Sequence, residues 1–273
     1  MKRIPFQKMA GAGNNFLVID APKNIDLKKL ALKACDRMNG IGADGILIFD
    51  KSKKADYKMR IINADGSEAE MCGNGARCMA VYIVNHKKPK KKLFAMETLA
   101  GNILGEAKGN IASVRLSDPK NHRTDIPLNV LGRKITVQYI DTGVPHTIIF
   151  VNDIDKIDVK KIGEAVRNHE AFKPRGTNVN FVEQVSDTLI NVRTYERGVE
   201  DETQACGTGS VASAIITYLK ANPNVENKEK NHIKVCTTGK EILEITFDII
   251  NRRSTNVWLK GSAILIAEGV YYV

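Results

Sequence analysis

The chain has 273 residues, of which 43% are hydrophobic and 26% are charged, and its formal net charge is +10. This length and composition are typical of a globular protein of about two domains, and no apolar run reaches the ~18 residues of a membrane span. An odd count of five cysteines does not indicate a disulfide framework, and the first residues lack a signal-peptide pattern, so we expect a cytoplasmic protein with reduced thiols.

In the first half of the chain, hydrophobic patterns predict strands around two helices. Strands at 16–19 and 46–49 flank an amphipathic helix from Asp26 to Arg37, with Asp26 as its N-cap. The segment 76–84 is apolar nearly all round, which predicts a helix buried among the strands.

In the second half, Val159, Ile162, Ala165 and Val166 mark another amphipathic helix, and 211–219 predicts a second buried one. Most of the remaining chain, including 257–273, has the pattern of strands. We therefore predict an α+β fold with two structurally similar lobes, each a curved mixed β-sheet or barrel around a central helix.

The most informative feature is a cysteine-containing sequence that occurs twice. Glu70–Gly75 is EMCGNG and Gln204–Gly209 is QACGTG, and each leads into one of the two apolar helices. The flanking sequences are also similar: 60–68 and 193–203 before the cysteines, and 97–105 and 236–244 after the helices. A repeat this long indicates a duplicated domain.

The duplication predicts the domain organisation. We expect an N-terminal lobe at 1–118, a C-terminal lobe at 119–262, and a last strand at 263–273 that returns to the first lobe. A pseudo-two-fold axis would relate the lobes, and Cys72 and Cys206 would face each other across a cleft.

Both cysteines begin a helix beside glycines, and this position favours the thiolate. Exposed N–H groups and the positive helix end lower a cysteine pKa from about 8.5. Two such groups suit a reaction that removes a proton from one face of a carbon and returns one to the other face, which is racemisation or epimerisation. The N–H groups of Gly73, Asn74, Gly207 and Thr208 are candidates to bind a carboxylate. Cys35, Cys78 and Cys236 lack the repeated context and are predicted to be packing residues.

Other functional motifs are not supported by their context. Gly40–Gly45 matches the dinucleotide fingerprint, but it follows a predicted helix and precedes a strand, the reverse of the required order. No cysteine pair has the spacing of a zinc site or a CxxC redox motif, so we predict no metal. The densest basic cluster, Lys87–Lys92, has no interleaved aromatic residues and is typical of a solvated loop, so we expect no nucleic-acid partner and no membrane partner.

Linked motifs over essentially the whole chain resemble the diaminopimelate epimerase family. They are KMAGAGNNF at 8–16, NADGS at 63–67, CGNGARC at 72–78, GTNVNF at 176–181, YERG at 195–198 and ETQACGTG at 202–209. The resemblance implies a homodimeric, cofactor-independent enzyme that interconverts LL- and meso-diaminopimelate for lysine and peptidoglycan synthesis. One cysteine would act as thiolate base and the other as thiol acid.

The resemblance also implies roles for polar residues. His146 and Glu196 would help to set thiol protonation, and Arg197 would hold the distal carboxylate. The residues implied to bind substrate are Asn14, Asn63, Gly73, Asn74, Asn178, Glu196, Arg197, Gly207 and Thr208. For the asparagines, local hydrogen bonding in turns is the alternative interpretation.

Two departures from the family pattern leave other functions open. Val144 precedes Pro145-His146 where many members have asparagine, and Asn15 stands where aspartate is frequent. One alternative is a racemase of the same fold acting on another amino acid, such as histidine or proline. The other is a non-catalytic protein that binds a small anion or amino acid.

Overall fold

The computed structural model describes residues 2–273, and residue 1, the first of the predicted N-terminal lobe, lies outside them. The described chain divides into two compact units: the residues up to Arg115 together with Lys260–Val273, and Leu116–Leu259. Strands dominate both units, which confirms the predicted α+β class. Within residues 2–273, no helix is long and apolar enough to cross a membrane.

The first unit places its helices between strands. In chain order its elements are β1 (Arg3–Gly11), β2 (Asn14–Asp20), α1 (Leu27–Ala34), β3 (Gly45–Asp50), β4 (Tyr57–Asn63), β5 (Glu68–Ala69), α2 (Gly73–Tyr82), β6 (Phe94–Thr98), β7 (Gly101–Lys108) and β8 (Ile111–Arg115). A π-helical turn, Ile83–Lys87, continues α2.

The second unit has one more strand at its start, and from the strand before its first helix onward its elements follow the same order. They are β9 (Lys120–Val130), β10 (Arg133–Asp141), β11 (Pro145–Phe150), α3 (Val159–Arg167), β12 (Asn178–Ser186), β13 (Leu189–Glu196), β14 (Asp201–Thr203), α4 (Gly207–Ala221), β15 (Lys228–Thr237), β16 (Ile242–Ile250) and β17 (Arg253–Ser262), whose last residues, from Lys260, belong to the first unit. Short 3₁₀ turns occur at Ile154–Lys156 and Glu170–Phe172. The last strand, β18 (Ile264–Tyr272), pairs antiparallel with β1 in the first unit.

The strand pairing repeats between the units. In the first unit, β2 pairs parallel with β3, and α1 connects the two strands. Next, β4 pairs antiparallel with both β3 and β5. Finally, β4 pairs parallel with β6, and α2 lies between these strands in the chain. In the second unit, β11 pairs parallel with β12, and α3 connects the two strands. Next, β13 pairs antiparallel with both β12 and β14. Finally, β13 pairs parallel with β15, and α4 lies between these strands in the chain. The sequence repeat therefore corresponds to a repeat of topology.

The two apolar helices are buried, as predicted. Every residue of α2 is buried, and the helix packs against β1, β2, β7 and β8. In α4, the buried part includes Ser210–Thr217, which packs against β11, β12, β15 and β16. Each helix has apolar residues on all of its faces because strands of its own unit surround it.

One predicted boundary was wrong. The cap at Asp26 is confirmed, since its Oδ1 accepts from the N–H of Lys29 at 3.1 Å, but α1 ends at Ala34 and not at Arg37. The carboxylate of Asp36 accepts from the N–H groups of Met38 and Asn39 and holds these residues in a turn, because aspartate competes with the helix for backbone donors. The strand pattern over 257–273 is confirmed by the end of β17 and by β18, and Ala263 between these strands donates its N–H to Asn110 O.

Candidate active site

Cys72 is the N-cap of α2. Its backbone is extended (φ −145°, ψ 117°), and the N–H of Gly75 donates to its Sγ at 3.4 Å. The thiol is half-buried at the positive end of the helix. A donor on sulfur and the helix dipole both favour the thiolate over the thiol.

A chain of side-chain hydrogen bonds orients the first turn of α2. Asn74 Nδ2 donates to Asn14 Oδ1 at 2.8 Å, and Asn14 Nδ2 donates to Asp44 Oδ2 at 3.3 Å. The same carboxylate oxygen accepts from the N–H of Asn15 at 2.8 Å. Within residues 2–273, Asn74 Oδ1 is buried without a hydrogen-bond partner. Since a buried acceptor without a partner is costly, this oxygen is suited to receive a donor from a ligand.

Asn63 is engaged in a turn at the end of β4. Its Nδ2 donates to Ser67 Oγ at 3.0 Å, and its N–H donates to Ser67 O at 2.8 Å. The N–H of the next residue, Ala64, donates to Asp44 O at 3.0 Å. Asp44 therefore connects this turn to the chain of hydrogen bonds through Asn14.

Cys206 is the N-cap of α4 in the second unit. Its backbone is extended (φ −118°, ψ 112°), and its Sγ lies 3.5 Å from Thr208 Oγ1. The residue is 8% exposed, so fewer waters stabilise its charged form than for Cys72. Hydrogen bonding by the protein therefore matters more for the ionisation of Cys206.

His146 lies on β11 and is fully buried. Its Nε2 is 3.0 Å from Thr208 Oγ1, and its Nδ1 is 3.1 Å from Asn180 Nδ2. Burial lowers the pKa of His146 to about 3, and the charge of Arg197 adds to this effect. The imidazole is therefore neutral at neutral pH.

Asn178, Arg197 and Glu196 lie at the ends of neighbouring strands. Asn178 Oδ1 accepts from the N–H of Arg197 at 2.8 Å, and Asn178 Nδ2 donates to Pro145 O at 3.1 Å. The guanidinium of Arg197 donates to Arg175 O at 3.1 Å. Burial raises the pKa of Glu196. Asn178 thus positions the backbone that carries Arg197.

The structure adds polar residues that the sequence analysis did not select. Asp44 lies in the glycine-rich segment that resembles a dinucleotide motif, and Asn180 lies two residues after Asn178 on the same strand, so their side chains point to the same face. Thr142 Oγ1 donates to Thr208 O at 3.3 Å, and no sequence pattern singles it out. No cluster of three or more His, Cys, Asp or Glu that could hold a metal occurs in the part of the chain that the structure describes.

The predicted residues thus form two groups, one in each unit. In the first, Cys72, Asn74 and Asn14 are connected around the start of α2. In the second, Cys206, Thr208 and His146 are connected around the start of α4. Each group combines a thiol with the N–H groups of a helix N-terminus, which can bind a carboxylate.

Comparisons with known proteins agree over nearly the full length. The family model described as diaminopimelate epimerase matches residues 6–119 and 138–265. The diaminopimelate epimerase of Aquifex aeolicus (strain VF5) is 39% identical over 277 residues, which cover 97% of this chain and 96% of that relative.

Solved structures of lower identity share the fold. A PhzF-family phenazine biosynthesis protein of Bacillus anthracis has a TM-score of 0.76 at 16% identity, with 100% of both chains covered. A probable proline racemase of Agrobacterium radiobacter K84 has a TM-score of 0.72 at 13% identity, with 99% of this chain and 92% of that chain covered. At these identities the likeness concerns the fold alone.

Proposed function

Because the chain belongs to the diaminopimelate epimerase family, we propose that it interconverts LL- and meso-2,6-diaminopimelate without a cofactor. Cys72 and Cys206 supply the base and the acid. The reaction serves lysine and peptidoglycan precursor synthesis. The Aquifex aeolicus relative carries the name of this enzyme and aligns over nearly all of its own length, which supports the assignment of the reaction.

One observation carries the two-thiol mechanism. Each unit places a cysteine at the N-cap of its buried helix, within the same order of strand pairings. In a two-base inversion, one acid-base group serves each face of the α-carbon. The proposal assigns one face to Cys72 and the other to Cys206.

The proton transfer follows from the chemistry of the α-carbon. An amino acid α-proton is far less acidic than a thiol, so the negative charge that develops on the substrate must be stabilised as the proton leaves. The N–H groups of Gly73, Asn74, Gly207 and Thr208 are the donors for the substrate carboxylate at the two helix N-termini. One cysteine enters as thiolate and takes the proton, while the other enters as thiol and gives one. The roles are exchanged for the opposite stereoisomer.

The second charged end of the substrate is assigned to Arg197. Arg197 is half-buried, and Asn178 holds the backbone of Arg197 through a 2.8 Å hydrogen bond. The paired N–H donors of a guanidinium on a fixed backbone can bind a distal carboxylate through two hydrogen bonds. A substrate such as proline has no such second end, so Arg197 favours diaminopimelate over this alternative.

The test is α-proton exchange in deuterated water under reducing conditions. The panel is LL-diaminopimelate, histidine, proline and glutamate, with Cys72→Ser, Cys206→Ser and the control Cys236→Ser. We expect exchange with inversion of diaminopimelate alone, a loss of at least about 100-fold in the first two variants and little change in the third. Exchange of another amino acid would overturn the substrate, and exchange of none would favour a binding protein.

We also propose that the protein is a cytoplasmic homodimer. The cytoplasm keeps thiols reduced, as the mechanism requires. Ile264, Leu265 and Ile266 on β18 are 49%, 46% and 51% exposed, and consecutive exposed apolar residues are typical of an interface. In analytical ultracentrifugation, Leu265→Glu should give monomers, whereas Val185→Glu, at another exposed apolar residue, should not. A wild-type monomer would refute the dimer.

A further inference from the structure

Asn180 is a buried amide whose orientation is determined by its partners. Its Nδ2 donates to Thr147 O at 3.1 Å, and a carbonyl can only accept. On the other side, its Oδ1 accepts from Thr194 Oγ1 at 3.0 Å. The NH₂ group of Asn180 must therefore point toward Thr147 O.

The same NH₂ group determines the tautomer of His146. Asn180 Nδ2 lies 3.1 Å from His146 Nδ1, and an amide NH₂ can only donate. Nδ1 must therefore be the acceptor. Because His146 is neutral, its single proton is on Nε2.

The proton on Nε2 in turn determines what Thr208 can do. Nε2–H donates to Thr208 Oγ1 at 3.0 Å, so the hydroxyl accepts on this side. Its own hydrogen is then directed elsewhere, and Cys206 Sγ lies 3.5 Å away. A hydrogen bond donated to sulfur stabilises the thiolate relative to the thiol.

We propose that Asn180 is a positioning residue that fixes His146 as the Nε2–H tautomer and thereby directs the Thr208 hydroxyl to donate to Cys206 Sγ. Hydrogen bonds alone connect these groups, and no proton is transferred along the chain. The titratable group in this chain of hydrogen bonds beside Cys206 is His146 on β11, and the charge that acts on His146 is that of Arg197, which follows β13. This inference rests on the proposed function, because it concerns a thiol that the mechanism uses.

The first test reads the tautomer directly in the resting protein, without substrate. Proton–nitrogen correlation NMR of histidine side chains distinguishes Nε2–H from Nδ1–H, and the His146→Gln variant identifies the signal of His146. We expect Nε2–H in the wild type. A proton on Nδ1 would overturn the inference, whatever the enzyme's substrate.

The second test uses Asn180→Asp to reverse the donor and acceptor roles along the hydrogen bonds from residue 180 through His146 to Thr208. A carboxylate can only accept, so His146 should become Nδ1–H, and Thr208 should then donate to Nε2 and not to Cys206. The alkylation rate of Cys206 against pH, read by peptide mapping with Cys72 as the internal reference, reports the thiol pKa. We expect the midpoint to rise by about one unit, which is about tenfold slower alkylation at neutral pH.

A double-mutant cycle separates the hydroxyl from the added charge. Thr208→Val should itself slow the alkylation of Cys206, Thr208→Ser should preserve the wild-type rate, and Asn180→Asp should add little further slowing in the Thr208→Val background. If Asn180→Asp slows the alkylation of Cys206 equally in the wild-type and Thr208→Val backgrounds, Asn180 does not act through the Thr208 hydroxyl and the inference is overturned. If Asn180→Asp does not fold, the wild-type tautomer and the Thr208 variants still decide the question.

Discussion

Asn74 Nδ2 donates to Asn14 Oδ1 at 2.8 Å, and this bond joins the first turn of α2 to the start of β2, 60 positions earlier in the chain. Asp44 completes the arrangement by accepting from Asn14 Nδ2 at 3.3 Å. Because the Asn14 amide is held on both sides, the orientation of Asn74 is determined, and its buried Oδ1 is left to accept a hydrogen bond.

The Asn14→Ala variant should weaken catalysis through Asn74. Removing the acceptor leaves the buried Asn74 amide unpaired, at a cost of about 1–3 kcal/mol, so we expect kcat/KM for diaminopimelate to fall by about 10- to 100-fold. Steady-state epimerisation assays provide the measurement. The control is Asn129→Ala, an exposed residue of β9, which should keep wild-type kinetics. An unchanged kcat/KM for Asn14→Ala would show that this hydrogen bond does not position Asn74.

The glycines three residues after each cysteine should differ in their tolerance of alanine. A Cβ at Gly209 would lie 2.4 Å from Asn180 Oδ1 and 3.3 Å from Cys206 Sγ, whereas at Gly75 it would meet Leu47 Cδ2 at 2.9 Å. A leucine methyl can rotate away, but the Asn180 amide is held by hydrogen bonds. We expect Gly209→Ala to lower the free energy of unfolding by about 1–3 kcal/mol and Gly75→Ala by less, in urea denaturation. The opposite order would contradict this packing argument.

The affinity for the distal carboxylate should depend on the fork of Arg197. Arg197→Lys keeps the charge but loses the paired donors, so we expect KM for diaminopimelate to rise by about tenfold while kcat changes little. The matched control is Arg133→Lys on β10, where the side chain is exposed. A fall in kcat at constant KM would place Arg197 in the proton-transfer step.

Acid should destabilise the protein through His146. Its pKa is lowered to about 3 in the folded state, below the ordinary value of 6.5, so the unfolded chain binds a proton that the folded protein excludes between these values. The stabilisation is complete above pH 6.5 and is lost as the pH falls toward 3. Between pH 7 and pH 5 we expect a loss of about 2 kcal/mol in the free energy of unfolding from this group.

Urea denaturation of the wild type and His146→Gln at both pH values isolates this contribution. The variant has no proton to take up at this position, so its free energy of unfolding should fall less between pH 7 and pH 5. Equal losses in both proteins would show that His146 does not contribute. The other histidines are present in both proteins and cancel in the comparison.

Local sequence was sufficient to predict the helices that begin at the two cysteines. The apolar segments after Cys72 and Cys206 are buried helices because their side chains are apolar on every face, and the Asp26 cap is confirmed. The end of α1 could not be predicted from the hydrophobic pattern. It depends on the hydrogen bonds that the Asp36 carboxylate makes with the following N–H groups.

The sequence by itself determined the duplicated topology, the pair of cysteines at helix N-termini and the family, because each follows from residue types at fixed spacing along the chain. Only the tertiary structure decided which polar atoms meet: Asn14 with Asn74 and Asp44, and Asn180 with His146 and, through it, Thr208. The physical reason is that a hydrogen bond depends on distance and angle between groups far apart in the chain, and strand pairing sets both.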